Sequence, residues 1–412
     1  MARDDSESNL EDRGYESWEA AASAALKGRN LADLTTRTFD GIERIPLYTR
    51  QRNGTVRKKD DLPGEAAFAR GSRASGNVLG WEVRQSHFAM RDDVNAQILS
   101  DLENGATAIT LKGATDEIGS LESIVQGVHL DLAPIHLSPQ SSLKQAAALL
   151  TVCKSRSNDP DLLRNNLGLD PLGQLARTGH SVLSLDQEVE RCVEMTTDVA
   201  SNYPHMRPIS IDGSVWASAG ASDSQELGAV LSAGVLWVRA LLASGFDIDE
   251  VPNKMEITLT AGPDQFMTTA KIRAARVCWA QVINACGGTP AKAPIAIHAE
   301  TLQAMMTKTD SWVNMLRTTA ACFAAAVGGA DSITVAAFDS ATGLSDDIAL
   351  RLARNTQLIL QEETKLSSVI DPAGGSWYVE ELTDQLAHSA WRVFQDLESQ
   401  GGLGSALLAG HW

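Results

Sequence analysis

Several features that would narrow the function of a protein are missing from this sequence of 412 residues. It contains no run of about 18 apolar residues, the length that spans a membrane as a helix. Residues 1–19 are acidic and polar and lack the apolar core of a secretion signal. The five cysteines form no CxxC pair, and their odd number favours reduced thiols over a disulfide framework. We therefore expect a cytoplasmic protein that does not enter a membrane.

Basic charge is also scarce, because 35 Lys and Arg residues face 52 Asp and Glu residues and the formal net charge is -17. A surface that binds phosphates needs a basic stripe, and none is visible, so we expect no nucleic-acid partner. Motifs with a fixed chemistry are missing too, among them HExxH, the P-loop, GxSxG and GxGxxG. His129 and His136 lie seven residues apart, which is not a metal-ligand spacing, and we predict no metal site.

What the sequence does contain is an alternation of short strand-like runs with helix-compatible segments. The runs are WEVRQ at 81, ATAITLK at 106, VHLDLAP at 128, NNLGLD at 165, RPISID at 207, KMEITLT at 254, PIAIHA at 294 and SITVAAF at 332. This rhythm predicts parallel strands joined by crossover helices, and eight units favour a closed (β/α)8 TIM barrel of the α/β class. Ile272, Ala275, Trp279 and Val282 follow a helical spacing and should face the barrel core.

The chain before the barrel has a different composition. Residues 1–13 are expected to be disordered, a short helix should end near Gly28, and residues 38–49 should form an extended segment. The stretch 50–77 is rich in charge, Gly and Ser and marks a boundary. The predicted divisions are an N-terminal arm and linker at 1–76, the barrel at 77–405, and a C-terminal tail or truncated linker at 406–412.

A barrel enzyme carries its catalytic groups where the strands end. His298 with Glu300 is the best isolated candidate for acid–base chemistry, because an imidazole and a carboxylate could orient each other. The alternative is that both simply form a hydrogen-bonded wall of the barrel mouth. The other polar groups at predicted strand ends are Ser86, His87, Lys112, Asp131, His136, Asp212, Ser214, Asp339 and Ser340. These residues alone indicate a barrel of unknown function.

Residues 351–383, RLARNTQLILQEETKLSSVIDPAGGSWYVEELT, resemble the end of the substrate-binding barrel of methylmalonyl-CoA mutases. The turn DPAGGSWYVE within this segment is long enough to make a chance match improbable. Further similar stretches are FDGIERIPLYTR at 39, GWEVRQ at 80, SGFDIDEV at 244 and FMTTAKIRAARVCWAQ at 266. The resemblance extends over about residues 15–405.

The resemblance implies a reaction, the rearrangement of methylmalonyl-CoA and succinyl-CoA, begun by cleavage of the cobalt–carbon bond of adenosylcobalamin. It also implies that catalytic members thread acyl-CoA along the barrel axis and hold the corrinoid in a separate domain through an Asp-x-His-x-x-Gly run. This run does not occur in the 412 residues. We therefore expect no cobalamin-binding domain in this chain, no cofactor bound by it, and adenosylcobalamin only in a complex.

The sequence departs from the family pattern at the positions next to the substrate. The replacements are Ser86 for a tyrosine after the first strand, Ser214 and Val215 for the Tyr-His after the fifth, Ala296 for an arginine in the seventh, and Ser340 for a carboxylate after the eighth. The histidine replaced by Val215 would hydrogen-bond the thioester carbonyl, and valine can neither donate nor accept that bond. The resemblance therefore implies that this chain has no catalytic residues.

Three hypotheses follow. The first is the non-catalytic small subunit of a heterodimeric mutase, paired with a large catalytic subunit. The arm would wrap that subunit and bury Trp18, Ile42, Ile45, Leu47 and Tyr48 against it. The alternative is that the arm packs on its own barrel. Under this hypothesis we do not expect the chain to bind acyl-CoA. The second is an active cobalamin-dependent isomerase of altered specificity that uses His87, His298 and Glu300, with its cobalamin domain on another chain. The third is an acyl-CoA-binding regulator with an open barrel channel.

Overall fold

A computed structural model of the chain describes residues 5–49, 62–65, 67–156 and 159–412, with side chains from residue 14 onward. A two-stranded hairpin in the arm precedes an eight-stranded parallel sheet. The strands are β1 (Thr36–Arg37), β2 (Glu43–Arg44), β3 (Glu82–Phe88), β4 (Ala108–Lys112), β5 (Ile135–Leu137), β6 (Asn166–Leu169), β7 (Arg207–Asp212), β8 (Met255–Ala261), β9 (Ala296–Thr301) and β10 (Ser332–Thr334).

Helices alternate with the barrel strands and surround them. They are α1 (Asp5–Ala25), α2 (Val94–Glu103), α3 (Ile118–Ile124), α4 (Leu143–Arg156), α5 (Pro171–Thr178), α6 (Leu185–Asn202), α7 (Ser214–Ser218), α8 (Asp223–Ala243), α9 (Gln265–Ala285), α10 (Asn314–Val327), α11 (Asp347–Leu358), α12 (Trp377–Ser399) and α13 (Leu403–Leu408). A π-helical turn, Ile359–Glu363, extends α11. The caps explain where many helices begin, because Asp170, Ser184, Ser222, Asp264, Asp346 and Ser376 each accept a hydrogen bond from the backbone N–H three residues later.

The eight barrel strands follow the spatial order β5-β4-β3-β10-β9-β8-β7-β6, and neighbouring strands are parallel. The two ends of this order, β5 and β6, meet through side chains. Asn165 Nδ2 donates to the Ile135 carbonyl at 2.8 Å, and the Asn166 N–H donates to His136 Nδ1 at 3.1 Å. We call this junction the seam. The predicted (β/α)8 barrel is confirmed.

The third strand is where the sequence-based prediction was wrong. The strand is Ile135–Leu137, whereas residues 128–134 form turns in which the Leu132 and Ala133 N–H groups donate to the His129 carbonyl. The apolar alternation there came from Val128 and Leu130, which are buried beside the helices rather than in the sheet. Asp131 therefore does not lie at a strand end.

The helices bury the faces expected of them. In α9, Ile272, Ala275, Trp279 and Val282 are all buried. Helix α12 packs across α8 and α9, and Gly228 of α8 makes the approach possible, since a Cβ there would lie 2.5 Å from Val393. Helix α8 alone among the described segments is long and apolar enough to cross a membrane, and 72% of its apolar window is buried inside the protein, as in a core helix.

Buried ion pairs attach the C-terminal segment to the barrel. Arg273 of α9 donates to Glu380 at 2.7 Å and also pairs with Asp371, while its side chain is only 1% exposed. The neighbouring Arg276 reaches Asp331 at 3.1 Å. The segment 351–383, which carries the strongest resemblance, is thus fixed against α9 rather than extending from the barrel.

The arm has two parts. In its extended part, Ile42 is buried, Arg44 pairs with Asp264 at 2.5 Å, and the ring of Tyr48 lies 4.8 Å from that of Tyr378. This part packs on its own barrel, which was the alternative expectation for the arm. Helix α1 begins at Asp5, inside the stretch 1–13 predicted to be disordered.

The predicted domain limits stay predictions. Part of the linker predicted at 50–77, residues 50–61 and residue 66, lies outside the described residues. Helix α13 crosses the limit placed at residue 405. Four cysteines (Cys153, Cys192, Cys278 and Cys322) are buried, as expected of small apolar side chains, whereas Cys286 is exposed.

Candidate functional site

The carboxyl ends of the barrel strands surround a large open cavity, which we call the mouth cavity. Its volume is about 820 Å³, and a second cavity of about 250 Å³ adjoins it beside β3 and β10. Lys112, Glu300 and Gln303 line both. Ligand sites of barrel proteins lie at this face, so the two cavities are the candidate site.

Two ion pairs stand in the mouth cavity. Lys112 Nζ lies 2.9 Å from Glu300 Oε1, and Arg177 at the end of α5 pairs with Asp212 at the end of β7. The Glu300 carboxylate raises the pKa of Lys112. Burial alone would raise the pKa of Glu300, but the Lys112 ammonium outweighs it and the carboxyl pKa falls below its usual value. The Lys112–Glu300 pair is therefore charged at neutral pH.

A fifth ionisable group lies beneath them. Asp170, at the end of β6, accepts a hydrogen bond from the Gly173 N–H at 2.9 Å and caps α5. Burial and the nearby Asp212 carboxylate raise the pKa of Asp170 to about 7. This carboxyl is thus partly protonated near neutrality, and the guanidinium of Arg177 pairs with Asp212 rather than with Asp170.

Below the mouth cavity, a charged pair crosses the barrel interior. Arg84 on β3 donates to both oxygens of Glu256 on β8, at 2.8 and 3.0 Å, and to Glu82 at 3.0 Å. Strands β3 and β8 are three places apart in the ring, so this pair spans the interior rather than linking neighbours. The side chains of Arg84 and Glu256 are only 5% and 7% exposed. We call them the crossing pair.

Polar side chains surround the crossing pair and fill the rest of this level. Asn166 Nδ2 donates to Glu256 at 3.4 Å, and Ser210 Oγ donates to Asn166 Oδ1 at 3.0 Å. On the other side, His136 Nε2 lies 3.2 Å from Glu82. Burial opposes the ionisation of Glu256, yet Arg84 prevails and lowers its pKa to about 2. This level of the interior is thus a layer of paired charges and hydrogen-bonded polar side chains.

The residues that replace family positions are divided between several places. Ser214 and Val215 line the mouth cavity, and Ser86 and Ser340 line the second cavity. Ala296 is different, because it opens β9 next to Glu256 and so lies at the opposite end of the strand from the mouth. Four of the five replaced positions therefore do surround the candidate site.

The three acid–base candidates do not form one constellation. His87 lies against α2, with its Nε2 2.9 Å from Asp101, and His298 lies one level below the mouth with its Nδ1 2.8 Å from Ser332 Oγ. Burial, then the charge of Arg84, lowers the pKa of His298 to about 3, so it is neutral near pH 7. Glu300 lines both cavities and pairs with Lys112, and His87 lines the second cavity. Since His298 and Glu300 have different hydrogen-bond partners, their role as an acid–base pair stays a prediction.

Sequence reasoning missed the residues that define the site electrostatically. Arg177 was not singled out, although it closes the helix that follows β6, and the partnership of Arg84 with Glu256 joins residues 172 positions apart. A signal existed for Arg84 and Glu256, since arginine and glutamate inside predicted barrel strands must be paired when they are buried. No pattern in the chain says which partners they take.

The cavity lies at the carboxyl ends of the strands, where (β/α)8 barrel enzymes bind their ligands, and the interior below it is polar. These features place the chain in the class of barrel proteins with an enzyme-like binding site. The chain belongs to the methylmalonyl-CoA mutase family, whose model matches residues 113–412. The methylmalonyl-CoA mutase small subunit of Streptomyces virginiae is 44% identical over 383 residues, covering 92% of this chain and 61% of that protein. The small subunit of Propionibacterium freudenreichii subsp. shermanii is 36% identical over 92% of this chain and 59% of its own length.

A protein named simply methylmalonyl-CoA mutase, from Cereibacter sphaeroides, is 29% identical over 96% of this chain and 60% of its own length. The chain thus spans about three fifths of the length of these relatives. The family resemblance implies adenosylcobalamin, but no histidine lines the mouth cavity among the described residues. The Asp-x-His-x-x-Gly run that the resemblance links to corrinoid binding does not occur in these 412 residues.

Proposed function

We propose that this chain serves as the non-catalytic small subunit of a heterodimeric, adenosylcobalamin-dependent methylmalonyl-CoA mutase of the cytoplasm. The larger subunit would carry out the interconversion of methylmalonyl-CoA and succinyl-CoA, with the cofactor bound outside this chain. The relatives with the small-subunit name support this assignment over more than nine tenths of the chain.

The crossing pair is the observation that carries the proposal. If acyl-CoA follows the barrel axis in catalytic members, it must pass the level where Arg84 and Glu256 meet at 2.8 Å. Opening that level would separate a buried guanidinium from a buried carboxylate, and breaking such a pair costs about 3 to 5 kcal/mol. The barrel therefore opposes passage of a substrate along its axis.

The mouth gives a second, independent support. Val215 stands at the position where the family pattern has the histidine for the thioester carbonyl, and it lines the mouth cavity with only an apolar surface to offer. A missing donor to a reacting carbonyl costs about 2.7 to 4 kcal/mol of transition-state stabilisation. Ser86, Ser214 and Ser340 add further losses around the same space.

The second hypothesis, an active isomerase of altered specificity, finds less support. It needs His87, His298 and Glu300 to act together, but His87 faces Asp101 outside the barrel and His298 is held by Ser332. Glu300 lines both cavities and His87 lines the second one, but His298 lines neither.

The experiment is co-expression of this chain with the large catalytic subunit, followed by affinity capture and a mutase assay. We expect a stoichiometric complex, turnover that depends on the large subunit, and no turnover by this chain supplied with adenosylcobalamin and a separate corrinoid-carrying domain. A chain that stays alone at micromolar concentration, or that rearranges acyl-CoA by itself, contradicts the proposal.

Two tryptophan variants locate the contact. Trp18 is a partly buried residue of α1, and Trp312, which is 56% exposed, stacks on Phe338 at 4.4 Å. Trp18→Ala should weaken capture by the large subunit, and Trp312→Ala should leave it unchanged. Equal effects of the two substitutions would remove the arm from the interface.

The regulator hypothesis keeps one supporting observation, the open volume of the mouth cavity. Calorimetric titration with CoA esters tests it, because a ligand that binds the folded chain releases or absorbs heat and raises its melting temperature. Binding by the wild-type chain alone would favour the regulator over the silent subunit.

A further inference from the structure

His136 belongs both to the seam and to the charged level of the barrel interior. Its Nδ1 accepts the Asn166 N–H of β6 at 3.1 Å. Its Nε2 lies 3.2 Å from Glu82 Oε1, within reach of an ion pair although the two are not aligned as a hydrogen bond. A ring nitrogen that accepts a hydrogen bond carries no proton, so the contact with Asn166 fixes the neutral imidazole with its proton on Nε2.

The charges of this level do not balance while His136 is neutral. We call the three charged residues Glu82, Arg84 and Glu256 the ionic layer. The single guanidinium of Arg84 pairs with both carboxylates. Burial opposes the ionisation of the two carboxyls, but the guanidinium outweighs it and lowers the pKa of each. His298 stays neutral near pH 7, since burial above all lowers its pKa to about 3. A proton on His136 would therefore bring the ionic layer to zero charge, with Glu82 already beside the ring.

The same proton would break the seam at Asn166. A protonated Nδ1 is a hydrogen-bond donor, and it would face the Asn166 N–H, which is a donor as well. The other seam bond, from Asn165 Nδ2 to the Ile135 carbonyl, contains no group that titrates. His136 can thus close the seam or neutralise the ionic layer, but it cannot do both.

The surroundings of the imidazole contain both kinds of influence on its charge. Charged or titratable groups face it from three strands, and its register neighbour on β4 is uncharged. These residues are Glu82 and Arg84 on β3, Glu256 on β8, His298 on β9 and Thr110 on β4. The carboxylates favour a proton on His136, whereas the guanidinium and the side chain's burial, at 3% exposure, oppose it.

We propose that His136 is a pH-sensitive switch built into the barrel wall. The neutral imidazole joins β5 to β6 at Asn166. When the ring takes up a proton on Nδ1, it becomes an imidazolium paired with Glu82, and the two strands separate at Asn166 while the Asn165 bond remains. The switch needs neither a ligand nor a partner subunit, so it is independent of the function proposed above.

Nitrogen NMR of the deuterated, 15N-labelled full chain tests the switch directly. A scalar coupling between the Asn166 amide nitrogen and His136 Nδ1 passes through their hydrogen bond, so it exists only while Nδ1 accepts. We expect this coupling at about pH 8 and its loss at about pH 5, the range in which histidines change charge. The loss should accompany the change of both ring nitrogens to imidazolium shifts. The side-chain amide signals of Asn165 should stay in place.

Two substitutions separate the roles of the two ring nitrogens. His136→Asn places an amide oxygen near the position of Nδ1, and the Asn166 amide should stay hydrogen-bonded at both pH values. His136→Gln reaches only the position of Nε2, so the Asn166 signal should match that of the acidified wild-type chain at both pH values. As a control, His298→Asn changes the other histidine of this level and should leave the titration of the Asn166 signal unchanged.

Four results would overturn the proposal. They are a His136 ring that stays neutral throughout this range, a coupling that survives on the imidazolium, an Asn166 amide that responds to acid in His136→Asn as in the wild-type chain, and a titration that disappears in His298→Asn. The first two are read from the wild-type chain, so the proposal can fail even if neither His136 variant folds.

Discussion

The barrel interior and the barrel mouth use the same kinds of residue in opposite ways. In the interior, the crossing pair is buried on all sides and linked to Glu82, Asn166 and Ser210. At the mouth, Lys112 and Glu300 form a pair of similar length, but their side chains are 29% and 22% exposed and stand beside an open cavity. An ion pair in the interior is therefore part of the scaffold, whereas one at the mouth can be exchanged at low cost.

The largest expected effect comes from breaking the crossing pair. Glu256→Ala leaves the Arg84 guanidinium buried with only Glu82, and the free energy of unfolding should fall by about 3 to 5 kcal/mol. Urea denaturation measures this. The double variant Arg84→Leu/Glu256→Leu should recover much of the loss, since it leaves no unpaired charge. A loss below about 1 kcal/mol for Glu256→Ala would place the pair in the same class as exposed ones.

Two glycines with positive φ should also respond differently to substitution, because one lies in a barrel strand and the other at the end of a helix. Gly168 in β6 has φ +68°, and a Cβ there would lie 2.3 Å from the Ser138 carbonyl oxygen. Gly168→Ala should therefore cost on the order of 2 to 3 kcal/mol through strain and displaced backbone. Gly179, at the end of α5, has φ +71° but nothing within 4 Å of its Cβ position, so Gly179→Ala should cost about 1 kcal/mol. If thermal denaturation shows equal losses of stability for the two variants, backbone strain explains both, and the contact with the Ser138 carbonyl adds nothing.

Acid should affect the interior before the mouth. The pKa of His298 is lowered to about 3 from an ordinary value of 6.5, so the unfolded chain takes up a proton that the folded chain refuses. Stability is complete above pH 6.5 and falls as the pH decreases toward 3. Glu256 adds a loss in the same direction between pH 4.5 and about 2. In the His298→Asn variant, the denaturation midpoint should depend less on pH between 6.5 and 5 than it does in the wild-type chain. An unchanged slope would show that His298 titrates normally.

The smallest effect is expected at the mouth. Lys112→Met removes one half of a partly exposed pair, and the free energy of unfolding should change by about 1 kcal/mol or less. Chemical denaturation beside Glu256→Ala gives the comparison directly. A loss as large as that of Glu256→Ala would mean that the mouth pair is structural too, and would weaken the distinction between the two regions.

The sequence indicated the barrel because strand and helix periods are local properties. The run KMEITLT at 254 carries its own signal, and it lies within one residue of the strand observed, Met255–Ala261. The third strand escaped because Ile135–Leu137 is too short for an alternation to be visible, while the turn before it imitates one. The resemblance to the family rests on residues 351–383 and the other similar stretches, and it then indicated which positions surround the mouth.

The pairing of charges could not be predicted, because it depends on distances across the ring. Arg84 and Glu256 each read as an ordinary polar residue in a strand until the closed barrel brings them together. Asp212 was noted as a strand-end carboxylate, yet its partner Arg177 lies at the end of a separate helix. His87 and His298 were chosen for their chemistry, and the sequence did not indicate that their partners would be Asp101 and Ser332.

At the seam, the ring of strands is closed by a different kind of contact from those at the other junctions. Every other junction between neighbouring strands has backbone hydrogen bonds along it, whereas β5 and β6 are joined through one amide side chain, that of Asn165, and one imidazole, that of His136. Thermal motion should part the wall at this place first, because few bonds must open together there. The amide proton of Asn166 would then exchange with solvent sooner than those in the middle of β8, and the ionic layer would meet water from the side rather than from the mouth.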